Sequence, residues 1–125
     1  MLNNGEILFL AGLDDALLGN PDTDVITEKL RSGDYDFSVL MTHEPDVADK
    51  YADQGFDLIV SGHSHGGQVN VPFLPRMTTA LAEKYVDGLY QLNDQTSLYV
   101  NSGIGTSRYP IRVGVIPQIT VFSLE

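Results

Sequence analysis

The sequence predicts an α/β fold, with parallel strands in its first half and mostly antiparallel strands at its C-terminal end. Three observations carry that expectation. Short apolar runs alternate with segments of helical spacing as far as Val60, a glycine- and proline-rich stretch then breaks the alternation, and the residues beyond it read as strands joined by a tight turn. Alternating strands and helices need crossovers that return the chain to one end of the sheet, which makes neighbouring strands parallel.

Taken in order, residues 7–11 are an apolar run bounded by Gly5 and Gly12, too short for a helix and therefore a buried strand. Asp14 and Asp15 follow as a polar turn. Val25, Ile26, Lys29 and Leu30 have helical spacing, with Asp22 or Thr23 as N-cap and Gly33 just past the end. Residues 37–41 are a second strand. Pro45 then opens a helix with Val47, Ala48, Tyr51 and Ala52 on one face, stopped by Gly55, before a third strand over 56–60. Gly62, Gly66, Gly67, Pro72 and Pro75 fill an irregular stretch, followed by an expected helix around 79–84. Residues 85–92 and 97–101 read as strands joined at Asn93-Asp94, and 118–124 alternates as a last strand. Tyr85, Tyr90 and Tyr99 are expected to pack across strands. No repeat, low-complexity tract or linker divides the chain, so residues 1–125 read as a single domain.

Composition narrows the function. With 42% hydrophobic and 19% charged residues the chain has the make-up of an ordinary globular protein. Its net charge of −10, without any basic stripe, speaks against nucleic-acid binding by charge. An anionic substrate would need positive charge from another source, and a divalent cation supplies it most simply. The absence of cysteine excludes disulfides, thiolate zinc sites and a cysteine nucleophile, so a transition-metal site must use histidine and oxygen. There is no membrane segment, since no run reaches the roughly 20 apolar residues of a span. The start lacks the basic region and apolar stretch of a secretory signal. As written the chain reads as cytoplasmic; export would need a signal in an N-terminal part that this sequence does not include.

All three histidines, His43, His63 and His65, fall at the C-terminal ends of two expected parallel strands. Adjacent strands lie about 4.8 Å apart, so side chains leaving matching ends can converge on one ion, and open α/β sheets bind ligands at that end. Any one histidine after a strand is more often structural than a ligand. Three together, two of them in the glycine-flanked Gly62-His63-Ser64-His65-Gly66-Gly67, favour a metal site.

The segment Ser61-Gly62-His63-Ser64-His65-Gly66-Gly67-Gln68, preceded by Thr42-His43-Glu44-Pro45, resembles the paired late motifs of calcineurin-like metallophosphoesterases, especially the bacterial branch with Gly-His-x-His-Gly-Gly-Gln. Leu10-Ala11-Gly12-Leu13-Asp14-Asp15, Asn101-Ser102-Gly103-Ile104-Gly105-Thr106-Ser107 and Pro110-Ile111-Arg112 also match it. The resemblance implies a partial metallophosphoesterase sandwich, about half of a four-layer α/β/β/α fold. It implies hydrolysis of phosphate monoesters or diesters with divalent metal ions (Mn, Fe or Zn), His43 and His63 ligating one ion and His65 the other.

The family's Asp-x-His, Gly-Asp-x-x-Asp and Gly-Asn-His-Asp or Glu motifs precede this region and are absent from this sequence. Two ions belong to a complete site; at most one is expected here, and weak or no activity from the isolated chain. The alternative is a catalytically inactive remnant or assembly partner that binds one ion or none. A sheet without its N-terminal strands would expose apolar faces and edges, so self-association or pairing with a complementing N-terminal half is expected. Arg108 and Arg112 read as surface or carboxylate-pairing residues before phosphate contacts. Pro117-Gln118 stands where the family often has Pro-Glu, a departure expected to concern structure near the last strand.

Overall fold

The structure, a computed structural model, describes residues 5–124; residues 1–4 and Glu125 of the expected domain lie outside the described residues. Five strands form one mixed sheet: β1 (Leu8–Gly12), β2 (Phe37–Met41), β3 (Leu58–Ser61), β4 (Gly88–Gln91) and β5 (Ser97–Val100), in the order β1-β2-β3-β5-β4. β1, β2, β3 and β5 pair in parallel, and β4 and β5 are antiparallel, as the alternation of elements and the hairpin predicted. The hairpin turn is closed by Asn93, whose side-chain oxygen accepts from the Gln95 and Thr96 amides at 2.9 and 2.7 Å.

Helix α1 (Asp24–Ser32) has an acidic residue in its first turn and Lys29 and Arg31 in its last, each complementing the local end of the helix dipole. Thr23 occupies the N-cap without a side-chain bond, and Asp22 instead accepts the Asp24 amide at 3.0 Å. Gly33, at φ 65°, ends the helix by donating to the Leu30 carbonyl.

Three elements differ from expectation. The helix expected from Pro45 is two 3₁₀ pieces, Pro45–Lys50 and Ala52–Gln54, because a segment this short gains little from α nucleation; its first-turn Asp46 amide, which no helix would use, donates to the Leu81 carbonyl at 2.9 Å. No helix forms over 79–84. The Glu83, Lys84 and Tyr85 amides donate to the Asp46 carboxylate at 2.8, 3.2 and 3.0 Å, so they are not available to carbonyls one turn back. Residues 118–124 form no strand among the described residues; side chains hold them instead, with Thr120 Oγ1 bonded to Tyr99 and Asn101, and Phe122 edge-on to Tyr99 at 5.3 Å.

The sheet has unequal faces. On one, the cross-strand row Ala11, Leu40, Ile59 and Leu98 is buried beneath Leu30 of α1, Val47 and Ala48 of the first 3₁₀ piece, and Tyr51 between the two pieces. On the other, the row Met41, Val60, Tyr99 and Leu89 is only partly covered, and Leu10 is 55% exposed. Among the described residues no helix is long and apolar enough to cross a membrane.

Candidate metal centre

Parallel pairing continues past the ends of β2 and β3 and brings the two histidine-bearing loops together. The Thr42 amide donates to the Val60 carbonyl at 3.0 Å, and the Gly62 amide to the His43 carbonyl at 3.2 Å. The loop after β3 is then wound tightly by bonds from Ser64 to Gly62, Gly67 to Ser64 and Gln68 to His65. Inside it His63, His65 and Gln68 all have positive φ (62°, 50° and 54°), a conformation costing each non-glycine residue about 1 kcal/mol or more. Such strain in one short turn is characteristic of a site. Ser64 is buried beneath it, donating to the Val86 carbonyl and accepting the Gly66 amide.

His63 Nδ1 lies 3.0 Å from His43 Nε2, and the rings meet edge-on with centroids 4.7 Å apart. His63 Nε2 is 3.0 Å from the Ala80 carbonyl, which can only accept, so the ring proton belongs on Nε2 and Nδ1 presents a lone pair. His65 repeats the pattern more loosely, with Nδ1 3.4 Å from the Gly105 carbonyl and Nε2 bonded to no described residue. Anchoring one ring N–H on a backbone carbonyl is how metal-ligating histidines are commonly oriented. Two nitrogens each about 2.1 Å from a shared ion, at a right angle, would lie about 3.0 Å apart. The His43 and His63 pair therefore matches a common cation in distance, and His63 matches it in tautomer as well.

The fit stops at two donors. Among the described residues no group of three or more His, Asp or Glu side chains is gathered closely enough to hold an ion. All three histidines nevertheless line one cleft of about 580 Å³ with Gln68, Thr79, Ser107 and Arg108. Asp14 and Asp15 form the expected turn, accepting the Asn20 amide and the Leu17 and Leu18 amides respectively. The Leu18 amide holds the Asp15 carboxyl below the usual carboxylate range against partial desolvation, with help from the Leu17 amide, Glu44 and the nearby His43. Glu44 itself is fully buried, its carboxylate accepting the Ala16 amide at 3.1 Å.

Three contributors carried no signal in the sequence reading. The Ala80 carbonyl orients His63 through a backbone atom that no residue type announces. Asp46 fixes the segment bearing Ala80, and a proline-aspartate start to a helix offers no hint of that. Gln68 belongs to the recognised motif, but its grip on Ser107 and Tyr109 across the chain is visible only in space. Arg112 is half-buried and pairs with no described carboxylate: its guanidinium donates to the carbonyls of Ser102, Gly105, Val115 and Ile116.

Along nearly all of its length the chain is similar to known proteins. It is 43% identical over 125 residues to the uncharacterised metallophosphoesterase YkuE of Bacillus subtilis, covering 99% of this chain and 43% of that protein. It is 40% identical over 116 residues to an uncharacterised metallophosphoesterase of Campylobacter jejuni, covering 93% and 29%. The chain is a relative of the calcineurin-like metallophosphoesterases. The phosphodiesterase YaeI of Escherichia coli is 32% identical over 87 residues, covering 69% of this chain and 32% of that protein. The chain thus spans less than half the length of each of these metallophosphoesterases. No family model matches it, and no solved structure matches it.

Proposed function

We propose that this chain is the C-terminal part of a metallophosphoesterase domain, residues 1–125 forming one unit, and that it serves metal-dependent hydrolysis of phosphate monoesters or diesters. The observation that carries the reading is the facing pair His43 Nε2 and His63 Nδ1, with His63 oriented from behind by the Ala80 carbonyl. His43 and His63 would hold one divalent ion, and His65 would turn its free nitrogen to a second in a complete dinuclear site. Such ions neutralise phosphoryl charge and activate water for in-line attack. The chain's own part is to present lone pairs at fixed positions and to line the cleft that receives the ester. The relatives' printed names, metallophosphoesterase and phosphodiesterase, support this reading.

A second reading is favoured by one observation. Because the described residues gather no three metal-type donors, the isolated chain is alternatively a catalytically inactive remnant or assembly partner, binding one ion or none, that associates with itself or with a complementing N-terminal half.

One experiment separates the two. Histidine ring resonances are followed during titration with Zn²⁺ or Mn²⁺, and hydrolysis of an aryl phosphodiester is measured in parallel. The enzyme reading expects His43 and His63 to respond together, and any hydrolysis to vanish in His63→Ala. Rings that ignore the metal, with no hydrolysis, would establish the remnant.

A further inference from the structure

Among the described residues most side-chain cations are already committed. Arg76 pairs with Asp87 at 2.7 Å, Lys84 with Asp49 at 2.8 Å, Lys29 with Asp34 at 3.7 Å, and Arg112 with backbone carbonyls. Arg108 is different. It is exposed, makes no hydrogen bond or ion pair to any described residue, and lines the histidine cleft, the one Lys or Arg among the residues that do so. In a molecule of net charge −10 an unpaired guanidinium at the one cleft that gathers histidines is conspicuous.

It is also held in place. The Gln68 side-chain amide brackets Arg108: Oε1 accepts the Ser107 amide at 2.6 Å, and Nε2 donates to the Ser107 and Tyr109 carbonyls at 3.1 and 3.2 Å. Between those anchors Arg108 has φ 61°, a strained conformation for a residue with a Cβ. Gln68 immediately follows the turn that carries His63 and His65, so the same short segment orients the histidines and fixes the arginine's backbone.

We propose that Arg108 binds the phosphoryl oxygens of the ligand in this cleft, with Gln68 as its positioning residue. A guanidinium presents paired N–H donors that match two oxygens of a phosphate at once, and here the Gln68 clamp holds its backbone while no described residue takes up its side chain. The inference deepens the phosphate-ester reading and rests on it for the identity of the anion.

The test uses the full chain and inorganic phosphate, followed by amide resonances of residues 62–68 and 105–109, with acetate at equal ionic strength as the comparison anion. Phosphate is expected to shift these resonances, and Arg108→Ala to weaken its binding at least about tenfold, as loss of a charge-assisted bidentate contact should. Arg108→Lys should recover part of the loss, added guanidinium ion should restore binding to Arg108→Ala, and Arg31→Ala on α1 should change nothing. Gln68→Ala should weaken binding in the wild-type background and have no effect in the Arg108→Ala background, which general unfolding would not produce. Equal phosphate affinity in Arg108→Ala, an equal response to acetate, or shifts confined to other regions would overturn the proposal. Hydrolysis lost in His63→Ala but untouched in Arg108→Ala would sink the arginine's role and leave the phosphoesterase reading standing. Arginine-dependent phosphate binding without metal-dependent hydrolysis would do the reverse.

Discussion

At the scale of single residues, the turn after β3 depends on atoms that are not there. Gly67 has φ 76°, and a Cβ placed on it would lie 2.7 Å from the Met77 carbonyl oxygen and 2.6 Å from Arg76 Cγ. Gly67→Ala combines a left-handed conformation with a backbone clash, and is expected to cost about 2 kcal/mol or more in urea denaturation and to disturb the His63 and His65 resonances. Asp49 offers a pH test. Partial burial pushes its carboxyl up, but hydrogen bonds from Lys84 and Tyr85 outweigh this and leave it below the ordinary range. A carboxyl depressed in the folded state stabilises above its unfolded value of about 3.9, and loses that contribution as pH falls through the lower folded value. Denaturation of wild type and Asp49→Asn should therefore differ at pH 5 and converge as pH drops below about 3.9. The difference should stay under about 1 kcal/mol, because the pair is half exposed and screened. What could be read in the sequence at this scale were the histidines, since their residue type and glycine flanks announce themselves. The Ala80 carbonyl and the Gln68 clamp could not, because a backbone acceptor has no residue signature and the clamp joins parts of the chain far apart in sequence.

At the scale of elements, the parallel strands were legible because each is a short apolar run between breakers, buried on one face by α1 and the 3₁₀ pieces. Among the elements that departed from expectation, the helix expected over 79–84 gave way because a tertiary partner claimed backbone amides that local periodicity had assigned to it. Asp46 is that partner. Its carboxylate accepts from Glu83, Lys84 and Tyr85, and its own amide donates to Leu81, so one side chain and one N–H replace a whole expected helix over 79–84. That tie sets the position of Ala80, and through it the orientation of His63. Asp46→Ala leaves several backbone amides without their acceptor and should cost about 2 kcal/mol in chemical denaturation. Its functional consequence should exceed its structural one. The His63 ring is expected to lose its preference for the Nε2–H tautomer, visible in ¹⁵N shifts of the imidazole, while resonances of β1 and α1 stay unchanged. An unaltered His63 tautomer in a folded Asp46→Ala protein would show that this segment does not orient the ring.

At the scale of the whole molecule, the asymmetry of the sheet decides behaviour in solution. One face is a closed core in which Leu40, Ile59 and Leu98 have no solvent exposure; the opposite face carries Leu10 at 55%, Met41 at 46% and Leu89 at 69% exposure. β1 lies at the edge of the sheet beside this face, so apolar side chains and free strand edge occur together. An apolar surface flanked by an open edge is what soluble proteins ordinarily cover. The histidine cleft meanwhile holds two facing imidazoles with His65 at its wall, and among the described residues no three metal-type donors are close enough to share one ion. On the assembly reading proposed above, a second polypeptide surface would cover the sheet and add ligands. For the chain by itself, another copy is the available cover, and light scattering should report a mass above that of one chain. Leu10→Lys with Met41→Lys places charge on exposed positions of that face without touching the closed core, and should return the protein to a single-chain mass with its thermal unfolding still cooperative. A wild-type protein that runs as a monodisperse single chain would show that the open face needs no cover, and the argument from the sheet to a partner would fail with it.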